Sequence, residues 1–134
     1  MTAFNGKWLY RSFCPARGTK DREPQIAAPW SPVGVMDVVS DAAGKIHGAL
    51  VFGAGQANEV KLQITGALTP EQSDLPEGIE LTGEGPNGSI TQLRGYFVAG
   101  KQLQIVGTVV AIKNDLAKQP PGTSGPFLLD QGVG

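Results

Sequence analysis

Apolar and polar residues alternate with a period of two along much of this chain, the spacing of half-buried β-strands. The clearest run is Glu59 to Leu68, with Val60, Leu62 and Ile64 on one face and Glu59, Lys61, Gln63 and Thr65 on the other. Similar runs predict strands over Phe4–Phe13, over Val33 to Phe52 as a hairpin, and over Gly78–Glu84, Ser89–Val98 and Gln102–Lys113. Gly125 to Leu129 supplies a further strand able to close against the first. In the first strand, Trp8 and Tyr10 share the face expected to point inward. Between the strands lie Asp41-Ala42-Ala43-Gly44, Gly53 to Asn58, Gly85-Pro86-Asn87-Gly88 and Gly100-Lys101, all rich in turn formers. Thr69-Pro70-Glu71-Gln72 reads as the start of a single helical turn.

Eight sequential strands joined by short turns predict an all-β fold, a single up-and-down antiparallel barrel, with a β-sandwich as the alternative. Glycines inside strands, at positions 48, 66, 83, 95 and 107, suit the strong coiling a barrel requires. The 134 residues form one domain, with a long loop over 14–32 and a Pro/Gly-rich segment over 119–134.

Turn arithmetic assigns the faces. Pairing Ser40 with Lys45 across the Asp41–Gly44 turn puts Val33, Val35, Val39, Ile46, Leu50 and Phe52 on one core face, with Asp37 among them opposite Gly48. The reverse face, Met36, Val38, His47, Ala49 and Val51, is nearly as apolar. A strand apolar on both sides meets protein on both sides, so Met36, Val38, Ala49 and Val51 are expected to form a homo-oligomer contact. Two-residue turns on either side of the Ser89–Val98 strand point Gln92, Arg94 and Tyr96 inward; three-residue turns point Leu93 and Phe97 inward and leave Arg94 in solvent. In the first case Arg94 faces Gly107 as Asp37 faces Gly48. An interior Arg94 then either anchors a carboxylate through its planar donors or pairs with Asp37.

Composition narrows the partners. The net charge is −1, with no basic stripe for nucleic acid or anionic membranes. One histidine and one cysteine make no zinc set, and no phosphate-cradling glycine loop is present, so no metal or cofactor is expected. His47 faces away from Asp37 in this register, against a Ser-His-Asp hydrolase, and Cys14, near Arg11 and Arg17, has no visible base partner. The lone cysteine and the lack of a signal pattern in MTAFNGKW favour a cytoplasmic protein.

Gly6-Lys7-Trp8, opening the first strand, resembles the Gly-x-Trp opening of the calycins, the lipocalin and avidin-type barrels. That resemblance implies a meandering barrel with an interior site. It also implies that Trp8 packs at the closed end, beneath a late-strand cation for which Arg94 or Lys113 is the counterpart. Avidin-type sites hold biotin among several tryptophans, whereas this chain has only Trp8 and Trp30.

The first functional expectation is therefore a binding module enclosing a small, partly apolar molecule. Its site would comprise Trp8, Tyr10, Trp30, Leu50, Phe52 and Tyr96 as walls, with Asp37, Gln92 and Arg94 as polar contacts. The second is a cyclase- or isomerase-type enzyme in the same cavity, with Asp37 as acid or base, Tyr96 as donor and Arg94 as anion stabiliser. The third is a filled barrel with a structural role.

Overall fold

A computed structural model of the chain describes residues 4–13, 32–98, 104–113 and 121–131. It contains eight strands: β1 (Gly6–Ser12), β2 (Gly34–Ser40), β3 (Lys45–Phe52), β4 (Val60–Thr69), β5 (Gly78–Glu84), β6 (Ile90–Val98), β7 (Gln104–Lys113) and β8 (Ser124–Asp130). Each pairs antiparallel with the next, and β8 pairs with β1, so the sheet closes on itself. This is the expected up-and-down barrel and not a sandwich.

Alternation assigns the inside. Trp8, Tyr10, Met36, Leu50, Ile64, Leu81, Leu93, Ile105, Phe127 and Leu129 form one continuous buried core. The β3–β4 register agrees with the periodicity of the chain, pairing Phe52 with Val60, Leu50 with Leu62 and Gly48 with Ile64. Among the described strands every charged residue belongs to the outward set, among them Lys7, Asp37, Lys61, Glu80 and Arg94. Apolar inside and charged outside is the reverse of the pattern of a lipid-embedded barrel.

In two strands the residues of the candidate polar interior point outward. In β2, Gly34, Met36 and Val38 point inward, while Val35, Asp37 and Val39 point out. The cause is one residue in the β2–β3 turn. The Asp41 and Lys45 backbones bond across it, and Gly44 takes the left-handed region at φ 83°, so Ser40 pairs with Ile46 and not with Lys45. This is a type I turn closed by a left-handed glycine, which offsets the two strands by one. The Asp41 carboxylate fixes it by accepting from the Ala43 and Lys45 amides at 2.9 Å each. A one-residue slip exchanges both faces of a strand. Met36 and Val38 are thus 0% and 2% exposed inside the barrel and unavailable for a subunit contact. On the outer face of β2 and β3, Val33, Val35 and Val39 are exposed, and Ala49 and Val51 are half-buried.

The second strand is β6. Glu84 pairs with Ile90 and Val98 with Gln104, leaving odd-numbered connections over 85–89 and 99–103. Leu93 and Phe97 therefore point inward, and Gln92, Arg94 and Tyr96 outward. Pro86–Gly88 forms a single 3-10 turn. No helical turn follows Thr69; instead the backbones of Gln72 and Leu75 bond to each other at 2.9 and 3.2 Å.

The two barrel ends differ. Where the 41–44, 70–77 and 99–103 connections lie, the segment before β1 folds over the interior. The Phe4 amide donates to Ser40 Oγ at 3.0 Å, the Ser40 amide to Asn5 Oδ1 at 2.7 Å, and Gln131 Nε2 to the Asn5 carbonyl at 2.8 Å. These bonds hold the Phe4 ring fully buried, 4.9 Å from Trp8 and 6.5 Å from Phe97. At the opposite end β1, β3, β5 and β7 finish and β2, β4, β6 and β8 begin.

Candidate functional site

On six of the eight strands the inward residue nearest the second end is small or hydroxyl-bearing, namely Ser12, Gly34, Gly83, Thr91, Ala111 and Gly125, while β3 and β4 place Phe52 and Val60 there. Three aromatic rings meet at and below this level. Tyr10 meets Phe52 edge-on at 5.8 Å and stacks with Phe127 at 6.1 Å. Glycines on β2 and β6 accommodate two of these rings. A Cβ on Gly34 would lie 2.8 Å from the Phe52 ring, and one on Gly95 would lie 2.9 Å from the Phe127 ring.

β1 is the polar stave of this interior. Trp8, Tyr10 and Ser12 all point inward, successive members about 7 Å apart along the strand. At the outer position, buried Ser12 shares a hydrogen bond with the Tyr10 side chain. Burial raises the pKa of the Tyr10 hydroxyl from 10.0 to about 12, and the Ser12 bond opposes that shift only in part. At the deepest position, Trp8 Nε1 is buried with no hydrogen-bond partner among the described residues. An orphan buried donor costs about 1–3 kcal/mol, so such groups are rare. Among the described residues Ser89 Oγ, just before β6, is the other buried orphan.

The Tyr10 shift gives a pH dependence with a definite sign. Below about pH 10 the phenol is neutral whether the chain is folded or not. Between pH 10 and 12 the unfolded chain releases this proton while the folded barrel retains it, so stability falls as pH rises, by at most about 1.4 kcal/mol per pH unit. Urea unfolding across this window is expected to show that loss, and Tyr10→Phe should show a slope shallower by this amount. Equal slopes for the two proteins would contradict a buried, neutral phenol.

The sequence-predicted residues divide into two groups. Trp8, Tyr10, Leu50 and Phe52 lie together inside. Trp30 and Cys14 fall outside the described residues. Asp37 is exposed on β2, opposite Lys7 and Ala49. Gln92, Arg94 and Tyr96 lie on the outer face of β6, four strands away. Arg94 Nη2 contacts Glu80 Oε1 at 2.7 Å as a cross-strand pair, with 69% and 52% of the two side chains exposed. Such exposed pairs contribute roughly 0–1 kcal/mol. The trio of Asp37, Arg94 and Tyr96 therefore forms no interior acid–base site. Neither Arg94 nor Lys113 covers Trp8, because both are exposed outward-facing residues. Sequence reasoning missed Ser12, Thr91 and Phe127; the inward parity of β1 already placed Ser12 beside Tyr10.

Comparison with known proteins adds no assignment: the chain matches no known family model and no curated protein. The trough on the outside, about 520 Å³ over β4 to β7, holds Gln92, Glu80 and Arg94 beside Thr82 and Thr108. Its cation is already satisfied by Glu80. Among the described residues, no group of His, Cys, Asp and Glu is placed to hold a metal ion.

Proposed function

We propose that this barrel binds a small, predominantly apolar molecule in its interior, entering at the end away from Phe4. One observation carries the reading: the two ends are built differently. One is closed by a buried phenylalanine beside a strap of three hydrogen bonds, while at the other six of the eight strands turn a small or hydroxyl-bearing residue inward next to the rings of Phe52, Tyr10 and Phe127. An apolar wall with a few fixed polar groups is the ordinary constitution of a small-molecule site. The resemblance of Gly6-Lys7-Trp8 and the closed meander to calycin barrels supports the same reading. Since the described strands place no charged side chain inside, a neutral ligand fits best; an ionised group there would lack a partner.

Titration with the neutral fluorophore N-phenyl-1-naphthylamine tests this. One saturable site per chain is expected. Thr91→Trp, which adds bulk to the interior at the end away from Phe4, should weaken binding by about tenfold or more, the cost of about 1.4 kcal/mol of lost contact. Arg94→Ala, on the outer face, should leave it unchanged. No saturable binding, or binding sensitive to Arg94 and not to Thr91, would overturn the proposal.

A further inference from the structure

The geometry points to a more specific ligand class: we propose that Trp8 Nε1 is the deep anchor of the site and that its ligand is a neutral molecule presenting a hydrogen-bond acceptor oxygen at its innermost end, such as a ketone, ester or lactone. This rests on the interior binding reading above.

Three observations converge on the indole. Trp8 is fully buried and inward-facing, and its N–H is a donor with no acceptor among the described residues. Its position along β1 lies between Phe4, which closes the barrel, and Tyr10, which belongs to the aromatic wall, so the indole forms the floor of the interior. Indole nitrogen is donor-only, so whatever satisfies it must accept.

The remaining polar atoms define the other end of the ligand. Tyr10 and Ser12 satisfy each other, and their hydroxyls lie one and two inward positions nearer the mouth. A molecule with an acceptor at the floor, an apolar body along Phe52 and Phe127, and any second polar group near Ser12 matches this order. A carboxylate at the floor fits less well, because no cationic side chain among the described strand residues points inward to balance it.

A pair of probes of similar shape isolates the contact: 2-acetylnaphthalene, which carries a carbonyl, and 2-isopropylnaphthalene, which does not. Their partitioning from water differs, so the informative quantity is the effect of Trp8→Phe on each. The substitution should weaken the ketone about tenfold more than the hydrocarbon. In the unsubstituted protein, labelled with ¹⁵N, the Trp8 indole cross-peak should move downfield with the ketone relative to its position with the hydrocarbon; Trp30→Phe assigns the peak. This second readout does not depend on how well Trp8→Phe folds. If both probes bind but Trp8→Phe affects them equally and the indole peak sits in one place for both, the anchor is refuted while the binding barrel stands. If neither probe saturates, the binding reading itself fails and takes the anchor with it.

Discussion

Phe4→Ala lowers the unfolding free energy by about 3–5 kcal/mol, the usual loss for a fully buried phenylalanine truncated in a core that cannot collapse around the gap. Phe4 precedes the first strand, where residues of most domains are loosely held. Here it is fixed by the bond from its own amide to Ser40 and by the Asn5 bonds to Ser40 and Gln131, which tie the N-terminal segment to the β2–β3 hairpin and the end of β8. The ring packs between Trp8 and Phe97, residues far apart in sequence. Truncation therefore opens a void beneath the indole and weakens the plug together. Phe4→Leu, which keeps most of the volume, should lose less than about 1.5 kcal/mol. Urea denaturation followed by circular dichroism measures both. A Phe4→Ala loss below about 1 kcal/mol would mean that this segment does not close the barrel.

Gly107→Ala has the next largest expected effect, a loss of about 3 kcal/mol and a fall of roughly 10 °C in Tm. The reason is backbone obstruction. Gly107 pairs with Gly95 across β6 and β7, and a Cβ at Gly107 would occupy the place of the Arg94 carbonyl oxygen, with the Arg94 carbonyl carbon 2.8 Å away. Neither atom can move without parting the two strands. Gly83→Ala is the control. Its nearest neighbour would be the end of the Ile64 side chain at 3.3 Å, which can turn aside, so a change within about 1 kcal/mol is expected. Equal Tm losses for the two substitutions would contradict the close strand crossing at Gly107.

These glycines also explain why the site was only half legible in the sequence. Asp37 near Gly48 and Arg94 near Gly107 suggest interior polar groups given room by a missing side chain. In the barrel, the place of the missing Cβ is taken by the backbone carbonyl of the neighbouring residue: that of Asp37 at Gly48, Glu80 at Gly66 and Arg94 at Gly107. The glycines serve the coiling of the sheet, and the charged side chains turn outward from the same crossings.

The fold itself was legible because most strands carry an unambiguous alternation. Val60, Leu62 and Ile64 set the face of β4, and the pairing Phe52 to Val60 follows from it. β2 had no such protection. Val33, Val35 and Val39 are as apolar as Met36 and Val38, so the turn alone decides which set is inside, and Gly44 adds the residue that reverses them. In β6 the apolar pattern of Leu93 and Phe97 was right, and the odd-numbered connections agree with it. Of the interior residues, Trp8 and Tyr10 were readable from the alternation of β1, and Leu50 and Phe52 from their pairing with the cleanly alternating β4. Phe127 was not, because its place beside Tyr10 depends on closure of β8 onto β1, a contact between the two ends of the chain.

The central question is whether a ligand lies inside this barrel among the aromatic rings and not in the trough outside it. The most direct measurement is the set of intermolecular nuclear Overhauser contacts from bound 2-acetylnaphthalene to the ¹³C-labelled protein. The predicted result is contacts to the ring protons of Tyr10, Phe52 and Phe127. Contacts to Thr82, Gln92 and Arg94 on the outer face of β5 and β6 instead would contradict it.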